Sequence, residues 1–445
     1  MRSLGRRYSP DERRQREWFS SSPGAPCRRG FLLRKEHEKY ENEQHDTAHE
    51  AADDTARETA VMDAEYMAEA LHLAEAGRGL THPNPRVGCL LVRDGHVIGR
   101  GAHLGLGTPH AEAVALANAC EKARGATLYS TLEPCSHQGN TPPCADAIVT
   151  AGVARVVVAL RDPNPLVDGR GLEKLRRGGV EVTLLSGEMS RQAERQNEPF
   201  LKFVRTGLPL VTYKAAVSLD GKVAAAGGDA RWISGEQSRA LVHEMRAGCD
   251  AVMVGAGTAR RDDPELSVRL VDGRNPVRVV VSRDGELPPQ AKLLAGDVPT
   301  ILLCDHLTGG RLGFAANVEV VETGGDLAVG LRELARRGLL DILFEGGPTL
   351  AAVLLEAGLL DRLALFVAPL VIGRGAPDLF AAPAVDQVSD ALRLSDGEWS
   401  QVGSDLLFEG RLAAAATVTG ATEAAGTGTN EATPEAAPNR GGEEV

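Results

Sequence analysis

The amino-acid sequence predicts an α/β protein built as two successive bodies. Short apolar runs alternate with helical segments along the middle of the chain, a Gly207-Leu208-Pro209 break divides that alternation, and both ends differ in composition from what lies between. With 445 residues, 43% of them hydrophobic, the chain can bury two cores of ordinary size.

In the first body EYMAEALHLAEAG has helical apolar spacing and ends at Gly77. VGCLLVRDGHVIGRG is two apolar runs around Asp94-Gly95, a pair that accepts the positive φ angles of a tight hairpin turn. HAEAVALANAC reads as a helix introduced by Pro109, ATLYST as a strand, CADAIVTAG as a helix opening at Cys144, and RVVVAL as a buried strand. A helix near GLEKLRRGG, a strand VEVTLL and one charged helix, RQAERQNEPFLKFVRTG, complete this body. In the second, LPLVTYKAAVS is a strand, EQSRALVHEMRAG a helix, and CDAVMVG, VRVVVS, PTILLC and VEVVE are strands. DLAVGLRELARRG is helical, DILFEGG is a strand entering a turn, PTLAAVLLEAG is a helix with Pro348 at its start, and RLALFVAPLVIG is the closing strand. The Glu345-Gly346-Gly347 turn lets backbone amides approach a phosphate, although a glycine pair there also serves plain chain geometry.

The expected organisation is a flexible extension over 1–60, domains over 61–206 and 207–410, and an Ala/Thr/Gly/Glu tail over 411–445. RKEHEKYENEQHDTAHEAADDTARE in the extension has little to pack and reads as disordered or at best a solvated helix, with Met62 as an alternative start. A net charge of −12 with 4% aromatic residues opposes a nucleic-acid surface. No apolar run approaches the roughly 18 residues of a membrane span, and the N-terminal region lacks the apolar core of a secretory signal, so a cytoplasmic location is expected. Cys27, Cys89, Cys120, Cys249 and Cys304 show no paired spacing, so no disulfide framework is indicated.

Residues 110–144, HAEAVALANACEKARGATLYSTLEPCSHQGNTPPC, set His110, Glu112, Cys135 and Cys144 in the order of a zinc-dependent hydrolytic deaminase of nucleobase-like rings. One imidazole and two thiolates occupy three tetrahedral positions on Zn2+ and leave the fourth for water, whose pKa falls from about 15.7 to about 7. Glu112 is placed to move the water proton to the departing amine. Eight residues intervene between the two cysteines where the usual spacing has two, and His137 in that interval is a competing ligand. A structural zinc site, or a metal-free buried cluster, is the bland alternative; structural sites are normally closed by four Cys or His ligands, and Glu112 tips the choice to catalysis.

Beyond this centre, THPNPRVGC, PHAE, TLEPCSHQGNTPPC, RDPNP, VSLDGK, RWIS, DDPELSVR and EGGPTL occur in an order that resembles the bifunctional riboflavin-biosynthesis deaminase-reductase family, from Met62 to about residue 408. That family has the same long cysteine interval. The resemblance implies a cytidine-deaminase-like three-layer domain followed by a dihydrofolate-reductase-like α/β domain. It also implies two reactions: deamination of 2,5-diamino-6-ribosylamino-4(3H)-pyrimidinone 5′-phosphate, then NADPH-dependent reduction of the ribosyl side chain to ribityl.

Carried over by residue, His110, Cys135 and Cys144 are zinc ligands, Glu112 is the proton shuttle, and Asn84 binds the ring or holds its pocket. Lys214 and Asp262 are catalytic positions near the ribose and nicotinamide. NADPH contacts fall on Ala216, Trp232, Thr258, Asp262, Ser282, Arg283 and the segment Gly347, Pro348, Thr349, Leu350, Ala351, Ala352, Val353. Substrate contacts fall on Ala230, Arg246, Leu266, Arg269 and Glu345, the two arginines suiting a 5′-phosphate. The family usually has serine at position 230; alanine here leaves only backbone contact. VGAGTARRD is not the G-x-G-x-x-G fingerprint, which disfavours a standard dinucleotide fold, and Arg283 is a candidate partner for the NADPH 2′-phosphate. The expected partners are a small phosphorylated pyrimidine and further copies of the chain, with no nucleic acid and no membrane. Two rivals stand beside this reading: one half inactive, or a nucleic-acid-editing deaminase with an accessory module.

Overall fold

The structure, a computed structural model, describes residues 54, 56–137, 142–165, 167–307, 316–382 and 385–412. Most of the expected extension and all but two residues of the expected tail lie outside them. The described residues fall into two units, divided between residues 68 and 69. In the first, residues 56–68 are helical, and 56–62 are exposed.

Helical residues 69–74, α1, open the second unit. The hairpin follows as β1 (Gly88–Arg93) and β2 (His96–Ala102), with Asp94 and Gly95 at φ 52° and 74° in its turn. Then come α2 (Ala111–Ala119), β3 (Thr127–Ser130), α3 (Cys144–Ala151), β4 (Arg155–Val158), α4 (Arg170–Arg177) and β5 (Glu181–Leu184). The strands form one sheet in the order β2-β1-β3-β4-β5, antiparallel through β1 and parallel from β3 to β5. Glycines bring helices onto it from both faces. A Cβ on Gly88 would stand 1.9 Å from the Ala70 carbonyl oxygen of α1, and one on Gly101 2.0 Å from that of Ala111 in α2. Gly101 pairs with Cys89, the neighbour of Gly88, and successive strand residues face opposite ways, so α1 and α2 cover opposite faces. The result is a three-layer body.

The single charged helix expected at the end of this body is two helices, α5 (Glu188–Gln196) and α6 (Glu198–Thr206). Asn197 breaks the run because its side chain grips backbone elsewhere: Oδ1 accepts from the Arg86 N–H at 2.8 Å and Nδ2 donates to the Arg86 carbonyl at 2.9 Å. Gly207 closes α6 in the left-handed conformation, as the Gly-Leu-Pro break requires.

The second sheet has the order β10-β9-β8-β7-β11-β6-β12-β14-β13. Its parallel strands are β6 (Leu210–Ser218), β7 (Ala251–Gly255), β8 (Val277–Ser282), β9 (Thr300–Cys304), β10 (Val318–Glu322), β11 (Asp341–Phe344) and β12 (Arg362–Ala368). β7 and β9 are buried on both faces, which is why they read as unbroken apolar runs, whereas β10 at the sheet edge has no buried residue. Ala251 and Met253 of β7 join a core with Leu331 and Leu334 of α9 (Leu327–Arg336) and Ala351 and Leu354 of α10 (Pro348–Glu356). Val252 and Val254 turn the other way, to Met245 of α7 (Glu236–Gly248) and Ala259 of α8 (Ala256–Asp262). One expectation fails here. β12 does not close the fold: a hairpin of β13 (Leu394–Val402) and β14 (Asp405–Leu412) pairs onto it antiparallel, and β14 ends two residues beyond position 410. β13 is exposed almost throughout, so LSDGEWSQV carries no alternating pattern. The seven-residue α8 was equally illegible.

Candidate functional sites of the two halves

The Gly99 and Gly101 pair on β2 lets α2 lie directly on the strand backbone, which holds its first turn against the sheet. His110 is its N-cap in extended conformation and Glu112 lies in its first turn. Cys144 is the first residue of α3, after the N-cap Pro143, and the loop behind β3 brings Cys135 against it: the Cys144 N–H donates to Cys135 Sγ at 3.2 Å. His110 Nδ1 lies 3.3 Å from Cys144 Sγ and 3.6 Å from Cys135 Sγ, and the three ligand atoms are within 4.8 Å of one another. This donor set of one imidazole and two sulfurs, converging on one point and served by two helix starts, fits zinc. His137 is exposed and outside the cluster.

Cys135 is held down to about 4, chiefly by the hydrogen bond from the Cys144 thiol, which is itself pushed up by that bond and by burial, and then by His110 and the Cys144 amide. Glu112 is 4% exposed, and burial pushes its carboxyl above the ordinary range; the Ser130 hydroxyl donates to its Oε1 at 3.3 Å. Glu112, His110 and Cys135 line a cavity of about 330 Å³ together with Asn84. Asn84 is therefore brought to the cluster, with Nδ2 3.5 Å from His103 Nε2.

Sequence reasoning assigned no role to three further polar residues of this cavity. His103 meets His110 edge-on, ring centroids 5.7 Å apart. Asp162, in the RDPNP stretch, is pushed up to about 6 by burial. Glu133, 3% exposed, accepts from the N–H groups of Asp162, Gly169, Gly171 and Leu172, at 3.3, 3.0, 2.8 and 3.3 Å, tying the Cys135 loop to the Asp162 loop. The TLEPC motif was the only available signal, and it does not reveal which amides a carboxylate will meet.

The second group of predicted residues gathers at the carboxyl ends of the parallel strands, where α/β sheets bind ligands. Gly255 ends β7, Gly347 follows its neighbour β11 by three residues, and the two glycines cap α8 and α10. A Cβ on Gly347 would lie 3.7 Å from Thr258 Oγ1 and one on Gly255 3.4 Å from Leu350, so the two helix starts lie side by side. Pro348, Thr349, Leu350, Ala351, Ala352 and Val353 form the first turns of α10. Ser282 ends β8; its hydroxyl is engaged with Asp284 at 2.9 Å, while Arg283 is exposed. Ala216 lies on β6, Ala230 is exposed, and Trp232 is exposed under the Arg239 guanidinium, 4.6 Å from its ring centroid.

Lys214 of β6 is pushed below its usual value by burial, countered by Glu345. Burial alone would raise Glu345, yet Arg246 and then Lys214 hold it below the carboxylate range. Arg246, expected to face a phosphate, instead grips Glu345 with both arms of its fork: Nε to Oε1 at 2.6 Å and Nη2 to Oε2 at 2.9 Å. The Leu266–Arg269 stretch completes the group. Arg246 Nη1 donates to the Ser267 carbonyl, the Arg269 N–H donates to Nδ1 of buried His243, and the Arg269 guanidinium is exposed beside Glu265. Leu266 is buried at φ 54°. Asp262 stands apart at the end of α8, its carboxylate 3.2 Å from Arg261 Nε.

A cysteine-histidine centre on one α/β body, and two helix starts side by side at the strand ends of another, are the frame of a zinc-binding deaminase joined to a reductase. The family model for the cytidine and deoxycytidylate deaminase zinc-binding region matches residues 61–160, and that for the RibD C-terminal domain matches residues 209–408. The chain is 40% identical to the riboflavin biosynthesis protein RibD of Escherichia coli over 78% of its own length and 98% of the relative's. It is 39% identical to RibD of Mycobacterium tuberculosis, over 77% and 96%. Among solved structures, RibD of Acinetobacter baumannii superposes with a TM-score of 0.72 at 38% identity, over 79% of this chain and 99% of that one. A Thermotoga maritima diaminohydroxyphosphoribosylaminopyrimidine deaminase/5-amino-6-(5-phosphoribosylamino)uracil reductase gives 0.72 at 36%, with the same coverage. The chain belongs to the RibD family of bifunctional riboflavin-biosynthesis enzymes.

Proposed function

We propose that the first half deaminates 2,5-diamino-6-ribosylamino-4(3H)-pyrimidinone 5′-phosphate and that the second reduces the ribosyl side chain with NADPH to give 5-amino-6-ribitylamino-uracil 5′-phosphate. The observation that carries this reading is the convergence of His110, Cys135 and Cys144 on one point, beside a cavity that His110, Cys135, buried Glu112 and Asn84 line. Zinc held by those three residues supplies the Lewis acidity that makes water a nucleophile near neutral pH. Asn84 binds and orients the ring. Glu112 takes the proton of the attacking water and delivers it to the amine nitrogen as the carbon–nitrogen bond breaks. Burial raises its proton affinity, which favours the first of these transfers.

In the second half the adjoining starts of α8 and α10 suit the cofactor's phosphates, and NADPH supplies the hydride. Lys214 would hold a proton for the sugar ring oxygen released when the ring opens, and burial eases its loss. Glu345, braced by Arg246, orients the substrate, and the exposed Arg269 takes the phosphate, a role the engaged fork of Arg246 suits less well. Asp262 acts from the end of α8. The deaminase domain spans 61–206 and the reductase domain runs from 207 to Leu412. A cytoplasmic setting is supported by cysteines that are all free among the described residues, none of whose helices is long and apolar enough to cross a membrane. A homo-oligomer that binds no nucleic acid completes the proposal.

The test is to supply the diamino substrate with and without NADPH and follow ammonia, nicotinamide absorbance and bound metal together. Ammonia without NADPH, and NADPH oxidation only after deamination, are expected; metal-free protein that still releases ammonia would overturn the reading.

A further inference from the structure

We infer that His82 and Asp250 form a positioning contact through which the reductase half holds Asn84 in the deaminase cavity. The inference rests on the proposed role of Asn84 in binding the ring. His82 Nδ1 donates to Asp250 Oδ2 at 2.6 Å, with the two side chains 6% and 7% exposed. Asp250 is fixed by its own half: Oδ2 accepts from the N–H groups of Leu340 and Asp341, both at 2.9 Å, and Oδ1 from Arg274 at 3.2 Å. These residues stand at the amino ends of β7 and β11, the edge opposite the starts of α8 and α10. Pro83 packs beside them, where a Cβ on Gly338 would come within 3.2 Å of its Cδ.

Two residues beyond His82 the chain enters the other cavity. The Asn84 N–H donates to the Thr81 carbonyl at 2.8 Å, closing a turn over 81–84, and Arg86 is gripped by Asn197. Asn84 thus lies between two anchors, neither of which lines the cavity. Among the described residues its own side chain makes only the 3.5 Å contact with His103, at the limit of a hydrogen bond, so the backbone anchors set its direction. One of those anchors belongs to the reductase half. A buried hydrogen bond to a carboxylate is strong enough that losing it releases the turn.

The experiment uses full-length, zinc-loaded protein and compares His82→Ala, Asn84→Ala and the double variant. His82→Ala should raise the deaminase KM on the order of tenfold, with kcat less affected and with zinc content and reductase rate on the deaminated intermediate unchanged. The double variant should be no worse than Asn84→Ala alone, because both changes act through one group. Should His82→Ala lose reductase activity as well, and so fail to fold, His82→Phe, which keeps a ring without a donor, is set against His82→Asn, which keeps a donor without the ring; only the asparagine should restore KM. An unchanged KM in His82→Ala, multiplying effects in the double variant, or equal behaviour of Phe and Asn would each overturn the inference while Asn84→Ala remains impaired. If Asn84→Ala itself binds substrate normally, the reading of Asn84 fails first and the inference with it.

Discussion

Gly101→Ala should disable the deaminase half and spare the reductase half. An added Cβ would lie 2.0 Å from the Ala111 carbonyl oxygen and 2.7 Å from the Ala115 nitrogen, where ordinary contact begins at 3.4 Å, so the first turn of α2 must retreat by about 1.4 Å. Backbone sits on both sides of the contact, and no flexible side chain can absorb the shift. Such overpacking costs about 1–3 kcal/mol of stability. Ala111 lies between His110 and Glu112, so the displacement falls on a proposed ligand and the proposed proton carrier together. A misplacement of about 1 Å at a reacting group costs on the order of 100-fold in rate. The assay is ammonia release, zinc stoichiometry after dialysis, and NADPH oxidation with the deaminated intermediate, all on one preparation. Ammonia release should fall on the order of 100-fold and zinc retention should drop, with NADPH oxidation near wild type. Wild-type deamination and full zinc would show that α2 is not set by the glycine contact.

Glu112→Gln should keep zinc bound while slowing ammonia release by roughly 100- to 10,000-fold; loss of stoichiometric zinc would contradict its separation from the ligand set. Lys214→Ala should leave deamination intact and suppress NADPH oxidation, and an unchanged reductase rate would remove Lys214 from the site. Arg283→Ala should raise the apparent constant for NADPH more than that for NADH; equal effects would refute a 2′-phosphate contact. Asp341 is pushed up to about 6 by burial and then by Asp250, against roughly 3.9 in an unfolded chain. The folded state therefore holds this proton more tightly, and the group's contribution is full below about pH 4 and lost as pH rises through about 6, on the order of 3 kcal/mol. Asp341→Asn should flatten that part of the stability-pH curve, read as denaturant midpoints across the window; an unaltered slope would mean that Asp341 titrates normally.

What the chain determined unaided is local or periodic. The Asp94-Gly95 turn, the start of α2 behind Pro109, the opening of α3 at Cys144 and the apolar strands β7, β8 and β9 follow from backbone preferences and burial patterns that a few neighbouring residues carry. The zinc centre was legible for the same reason, since its ligand types and spacing are a chemical requirement written along the sequence. The motifs named the reductase group as well, but not its pairing. Only the tertiary structure could place the Arg246 fork on Glu345, set Glu133 on four amides, break the charged helix at Asn197 and join His82 to Asp250, partners 99, 29–39, 111 and 168 residues apart. A carboxylate or an amide in the sequence states what it can bond to. Which donor it meets depends on long-range packing, because burial without a partner would be costly and the fold decides which groups are buried together.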